Sequence, residues 1–515
     1  MEIPQILYSA SALAPVALMT AVVLLAPLNQ VSTAGLWRAF QVLAAGALVL
    51  TGISVLSGAS GVHWPGVLQA SSFSLILAVL VQLLGTVIGR FSVRYLQGEA
   101  GQRRCVVALA AVLAAVHLLL MADHWLVLIA AWAAVGVALQ HLLCFYPDRP
   151  FARLAAHKKR IADRLADVLL LGAAALAWVS VGSGSLSALW AHVAQEGMST
   201  ALQLSAVALV LAVVLRTALL PVHGWLIQVM EAPTPVSALL HAGVVNLGGF
   251  VLIRFAPLLE QAMPARMLLL AFGLSSAVLA GMVMLTRISI KVRLAWSTVA
   301  QMGFMLLQCG LGLWPLALLH IVAHSLYKAH AFLSSGTAVR AVAAIRRPGP
   351  VAAPGLGAVA KAFAVALVLY AAVAVGFGVI AGPKSAQALA LGAILIFGVA
   401  YLVAQGLADS APKALTQRTA LASLEAALAY FSFQLIAGAL WGASLPAPPV
   451  PDALEWGLIV LAILSFGLVA VAQALFPLWA HHPATAVLRV HLANGLYLNA
   501  LLDRLIGSFR ASKSL

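Results

Sequence analysis

Apolar residues fall in long blocks along this chain, and the joints between them carry the polar residues, glycines and prolines. Each block has the length an α-helix needs to cross a bilayer, about 20 residues. Spans are expected at about 4–27, 36–58, 66–92, 104–122, 125–146, 166–189, 201–226, 233–257, 266–286, 291–312, 314–339, 356–381, 386–408, 419–443 and 454–478. The pattern predicts an all-α polytopic membrane protein with about 13–15 transmembrane helices. Residues 341–357, rich in proline and glycine, predict an internal loop. In the tail, about 484–509, the apolar run is broken by Arg489, His491, Asn494, Asp503 and Arg504. That amphipathic pattern predicts a helix that lies on the membrane or docks on a partner.

One region departs from this regularity. From Arg216 to His241 the chain reads R-T-A-L-L-P-V-H-G-W-L-I-Q-V-M-E-A-P-T-P-V-S-A-L-L-H. Pro221, Pro233 and Pro235 predict a broken helix near 216–235, and freed backbone groups at membrane depth must line a cavity or a hydrated path. A cation there is costly unless it serves such a path.

Composition agrees: 63% of residues are hydrophobic and 8% charged, with a mean hydropathy of +1.05. The net charge of +15 needs no nucleic acid. With the N-terminus outside, the basic clusters around Arg90–Arg104, Arg149–Arg164, Arg287–Arg293 and Arg340–Arg347, and the basic tail, all fall on the inner side, as the positive-inside rule requires. The first block, about Pro4 to Pro27, lacks a basic n-region and is read as a retained helix rather than a signal peptide. Cys105, Cys144 and Cys309 stand singly, and no metal-ligand spacing or nucleotide-binding glycine motif occurs. Neither a metal site nor a cofactor is therefore expected in this chain, and its energy must come from an ion gradient or a partner.

His320, His324 and Lys328 recur at i, i+4 and i+8 and so line one stripe of a single helix. Histidine titrates near neutrality, so a buried stripe of this kind is expected to relay protons, in preference to holding isolated core histidines. His330 falls on another face. His241, on the neighbouring helix, is expected to bridge Arg216 to the stripe.

Several of these stretches have a family counterpart. The Arg216–His241 segment resembles K-S-A-Q-x-P-L-H followed by W-L and G-P-T-P-V-S-A-L-x-H. Lys291–Met305, K-V-R-L-A-W-S-T-V-A-Q-M-G-F-M, is similar to K-R-x-L-A-Y-S-T-x-S-Q-x-G-Y-M, and His320–Leu333 to H-L-x-x-H-A-x-F-K-A-x-x-F-L. Tyr95–Glu99, His124–Gly136 and Lys158–Asp167 fit the same pattern. These are signatures of the antiporter-like membrane subunits of respiratory complex I and Mrp-type cation antiporters. The likeness covers roughly residues 66–340 and fades beyond.

The resemblance implies an ion path through Arg216, His241, His320, His324, Lys328, Lys291 and Asp167. It also shows two departures. The family's helix-five glutamate is Ala133 here, and its helix-seven lysine is Arg216, which holds its proton and serves only as a fixed charge. Gln140 and His141 are candidate substitutes for the glutamate, Lys361 and Lys384 for a later lysine, and Glu425 for a counter-charge.

Within the family the tail and the missing pair are most similar to the membrane subunits of DAB inorganic-carbon accumulation complexes. That implies a DabA-like, zinc-containing, carbonic-anhydrase-like partner, passage of H⁺ or Na⁺, and placement in a bacterial inner membrane among lipid, with the C-terminal tail cytoplasmic. Residues 1–340 are expected to form the ion-translocating core, 341–480 further membrane helices and 481–515 the amphipathic tail. A complex I-like or Mrp-type pump subunit and a passive membrane anchor are the alternatives.

Overall fold

The computed structural model describes residues 3–28, 30–57, 63–64, 66–337, 355–406, 413–475 and 482–508. Nearly all of them are helical. The first half holds α1 (Ile3–Leu25), α2 (Thr33–Leu56), α3 (Ser72–Tyr95), α4 (Gln102–Leu120), α5 (Trp125–Leu143), α6 (Pro150–Val181), α7 (Leu186–Glu196) and α8 (Thr200–Arg216). The middle holds α9 (Gly224–Ile227), α10 (Thr234–Ala242), α11 (Leu247–Arg254), α12 (Ala256–Glu260), α13 (Met263–Leu285), α14 (Ile290–Gly310) and α15 (Trp314–Leu333). Then come α16 (Leu356–Ala381), α17 (Ala386–Gly406), α18 (Lys413–Trp441), α19 (Ala453–Ala474), α20 (Pro483–Ala493) and α21 (Leu498–Leu505). A two-residue hairpin pairs His63–Trp64 with Leu68–Gln69.

Among the described residues, eleven helices are long and apolar enough to cross a membrane, with shorter apolar helices at Ser11–Leu25, Thr200–Arg216 and Ala386–Gly398. This is the polytopic helical fold the block pattern predicts. Boundaries moved where local chemistry decides them. The span expected from 66 starts at Ser72, where Ser71 and Ser74 form a reciprocal capping box after the hairpin. The span expected at 166–189 is the long α6, which begins at Pro150 and ends at Gly182, a left-handed residue with φ 68°. The loop expected at 341–357 lies outside the described residues up to 354. The tail is two short helices, because Gly495, Leu496 and Tyr497 all take positive φ between them.

One core runs through α1–α15. A second joins α13–α15 to α16–α19 through Leu270, Leu307, Leu316, Ala366, Ile394 and Phe431. The α13–α14 seam is backbone against backbone. A Cβ on Gly303 would stand 2.5 Å from the Ala277 nitrogen and 2.7 Å from the Gly273 oxygen. Small residues permit such close approach of membrane helices. Gly303→Leu should therefore push the two helices apart and destabilise the protein by at least about 1–3 kcal/mol, read as a lower melting temperature in detergent; an unchanged melting point would refute this account of the seam.

Candidate functional site

The helix break is where expected, and a second one follows it. α8 ends at Arg216, and Ala218 takes a left-handed conformation (φ 54°) before the short α9. Pro233 and Pro235 open α10, which stops at Gly243 just past His241. A 3-10 turn, Val244–Asn246, then leads into α11. Asn246 fastens this second break, donating from Nδ2 to the Ala242 carbonyl at 2.8 Å and to Ser325 Oγ of α15 at 2.7 Å. Gly243 and the nearby Gly248–Gly249 were its signal in the sequence.

On α15 the stripe forms as the spacing predicts. The rings of His320 and His324 stand 5.9 Å apart, edge to face. His320 Nδ1 pairs with Gln308 Oε1 of α14 at 2.8 Å. Lys328 is wholly buried, and its Nζ donates to the Leu294 carbonyl of α14 at 3.0 Å. His241, also wholly buried, stacks on Phe332 with centroids 4.5 Å apart. Both ring nitrogens of His241 and of His324 are buried without a hydrogen-bond partner among the described residues. Buried polar atoms are ordinarily paired with protein or ordered water, so this pocket of imidazoles beside an ammonium suits a chain of water. His330 is exposed, on the other face as expected.

A second charged row lies on α6 and α8. Asp167 is paired with Arg216, whose guanidinium lies 4.6 Å from the Trp132 ring of α5. Arg164, mostly exposed, reaches Asp167 at 3.6 Å. One turn earlier, Lys159 and Asp163 form a buried ion pair, with Lys159 5.0 Å from the Trp225 ring. Next to it Lys158 donates to Asn499 at 2.9 Å and meets Asp503 at 2.5 Å, so the C-terminal α21 is clasped to α6.

The two rows are distinct. His241 makes no direct hydrogen bond to Arg216; it stacks on Phe332 of α15, the helix that carries Lys328. Lys291 donates to Thr234 Oγ1 at 2.7 Å, as Tyr95 meets it at 3.0 Å, and so pins the head of α10. His141, Lys361 and Glu425 are exposed and join neither row, while Gln140 lies beside the Arg160 guanidinium. Lys384 is half-buried in the turn between α16 and α17. Sequence reasoning passed over Lys159, Asp163 and the Lys158 clasp. The first two were signalled by the four-residue spacing Lys159–Asp163–Asp167, the clasp by nothing local.

Comparison with known proteins places the chain. The family model for the membrane region of NADH:quinone oxidoreductase and Mrp antiporters matches residues 122–381. A "Probable inorganic carbon transporter subunit DabB" of Hydrogenovibrio crunogenus is 48% identical over 54% of this chain and 53% of its own length. DabB2 of Halothiobacillus neapolitanus, described in the same words, is 38% identical over 87% of this chain and 81% of its own. The chain thus spans about half the length of the first relative and most of the second. The Mrp complex from Dietzia sp. has the same fold, with a TM-score of 0.65 at 23% identity over 96% of this chain and 59% of that one. The chain belongs to the NADH:quinone oxidoreductase/Mrp antiporter family, with DabB proteins among its relatives.

Proposed function

We propose that this chain is the proton-carrying subunit of an inorganic-carbon accumulation complex. It passes H⁺ down its gradient and couples that flow to a zinc-containing, carbonic-anhydrase-like partner of the DabA type, which hydrates CO₂ to bicarbonate in one direction. The DabB names of the relatives support the carbon substrate. The observation that carries the proton reading is the α10–α15 cluster: among the described residues Lys328 has no carboxylate partner, and the ring nitrogens of His241 and His324 have no hydrogen-bond partner. A passive anchor would have no use for that costly set, since ionisable groups at membrane depth are retained for function. The basic inner clusters support a bacterial inner-membrane placement with the tail cytoplasmic.

Moving one charge across about 100 mV is worth about 2.3 kcal/mol, which at about 1.4 kcal/mol per decade sustains a roughly 40-fold bicarbonate excess. Cells expressing the chain with its partner should lose accumulation on adding a protonophore, faster than their ATP falls. Accumulation that outlasts full uncoupling would exclude gradient coupling. Collapse with a sodium ionophore alone would assign Na⁺ as the ion, and cation exchange with no carbon uptake would favour an Mrp-type role.

A further inference from the structure

The second charged row holds two residues that the path through Arg216 and Asp167 does not use. Lys159 and Asp163 are 4% and 9% exposed, in the stretch of α6 that faces α5 and α8. Lys159 Nζ donates to Asp163 Oδ1. The other carboxylate oxygen, Oδ2, is directed at α5, where a Cβ on Gly136 would stand 2.7 Å from it. A side chain at position 136 would force the carboxylate to shift. Ala133 lies one turn before Gly136 on the same face of α5, and it is the position that the family resemblance fills with glutamate. Trp132, next to it, carries the Arg216 guanidinium, of which Nε and Nη1 are buried and unpartnered.

We propose that Asp163, held by Lys159, is the proton-accepting carboxylate of this row, supplied from α6 into the space beside α5. The proposal rests on the proton reading above and names the residue that loads its α6–α8 half. The charges permit it. Lys159 and Arg216 balance Asp163 and Asp167, so one extra proton is an uncompensated charge that must be passed on. Asp163 Oδ2 takes the proton from a hydrated proton while Oδ1 keeps the Lys159 hydrogen bond. The carboxylic acid then gives it, through an intervening water, to Asp167 one turn along the same helix. Arg216 keeps its own protons throughout and stays the fixed cation beside Asp167. Arg153, Lys158, Arg160 and Arg164 are the other charged groups at this end of α6; Arg153 is half-buried two turns before Lys159, Lys158 is engaged by Asp503, Arg160 lies beside Gln140, and Arg164 is largely exposed.

The test uses the full chain with its native partner in vesicles, an imposed proton gradient and a trapped pH-sensitive dye. Asp163→Asn should lower proton flux at least tenfold, with insertion and partner binding kept. Lys159→Met with Asp163→Leu, which removes the pair without leaving a lone buried charge, should keep the melting temperature and also lose flux. Adding Ala133→Glu to Asp163→Asn should return flux to within a few-fold of wild type. Wild-type flux in Asp163→Asn would overturn the proposal while leaving the proton reading standing. Failure of Ala133→Glu to rescue, while that substitution alone leaves the wild type active, would also overturn it. A wild-type protein that moves no protons would fail the parent reading instead.

Discussion

Lys328→Met should reduce ion flux to background in a protein that inserts, binds its partner and melts no lower than wild type. The ammonium is wholly buried, and its hydrogen bond goes to the Leu294 carbonyl rather than to a carboxylate. Burying an ion without a paired counter-charge is expensive, and a hydrophobic side chain of similar volume there is commonly neutral or stabilising. Stability therefore gives no reason for lysine at this position, and function must. Lys328→Ala should lose flux equally, with an added cost from the cavity it leaves. Lys328→Arg is the sharper test, because arginine keeps the charge and does not release its proton. If Lys328 exchanges protons with the His241–His324 pocket, the arginine variant is dead too. Full flux in Lys328→Arg would make the residue a fixed charge, and full flux in Lys328→Met would leave the stripe without a role.

Much of the fold was legible because lipid narrows the choice: every backbone polar group must be satisfied within its own segment, so apolar blocks become helices. The errors fall where that rule weakens. The apolar pattern shows α6 only from near 166, although it begins at Pro150, because Lys158, Lys159, Arg160, Asp163, Arg164 and Asp167 interrupt its apolar run. The residues that concealed the helix are those of the second charged row. The second strand of the hairpin, Leu68–Gln69, likewise falls inside the stretch from 66 that hydropathy alone assigns to a span.

The candidate site divides in the same way. The α15 stripe could be read from one helix, since a four-residue period fixes its face. Contacts between helices could not. The carboxylate of Asp163 beside Gly136 and the Lys158–Asp503 clasp join segments whose separation no local pattern reports. His241 was assigned to Arg216 because both lie in the interrupted segment. The turn at Gly243 and the stack on Phe332 set it against α15, the helix of Lys328. Lys361 and Lys384 are candidates by location along the chain alone, and His141, Lys361 and Glu425 are exposed.

Arg216→Ala should abolish coupling, whereas Arg216→Lys should retain substantial function. Removing the guanidinium leaves Asp167 with Arg164, which is 71% exposed and 3.6 Å away, as its remaining partner. Breaking one side of a buried pair costs about 3–5 kcal/mol, mostly from the stranded charge. Part of the loss in Arg216→Ala would therefore be structural, and the double variant Arg216→Ala with Asp167→Asn separates the two effects. It removes both charges, so its melting temperature should recover while flux stays at background. Lysine restores a cation at the family's own residue type, although it forfeits the planar contact with Trp132 now made at 4.6 Å, so a several-fold loss is expected rather than a full one. Flux measured in vesicles from all four proteins decides the matter. Equal flux in wild type and Arg216→Ala would mean that the α6–α8 row is a vestige and that the ion crosses through the α15 stripe alone.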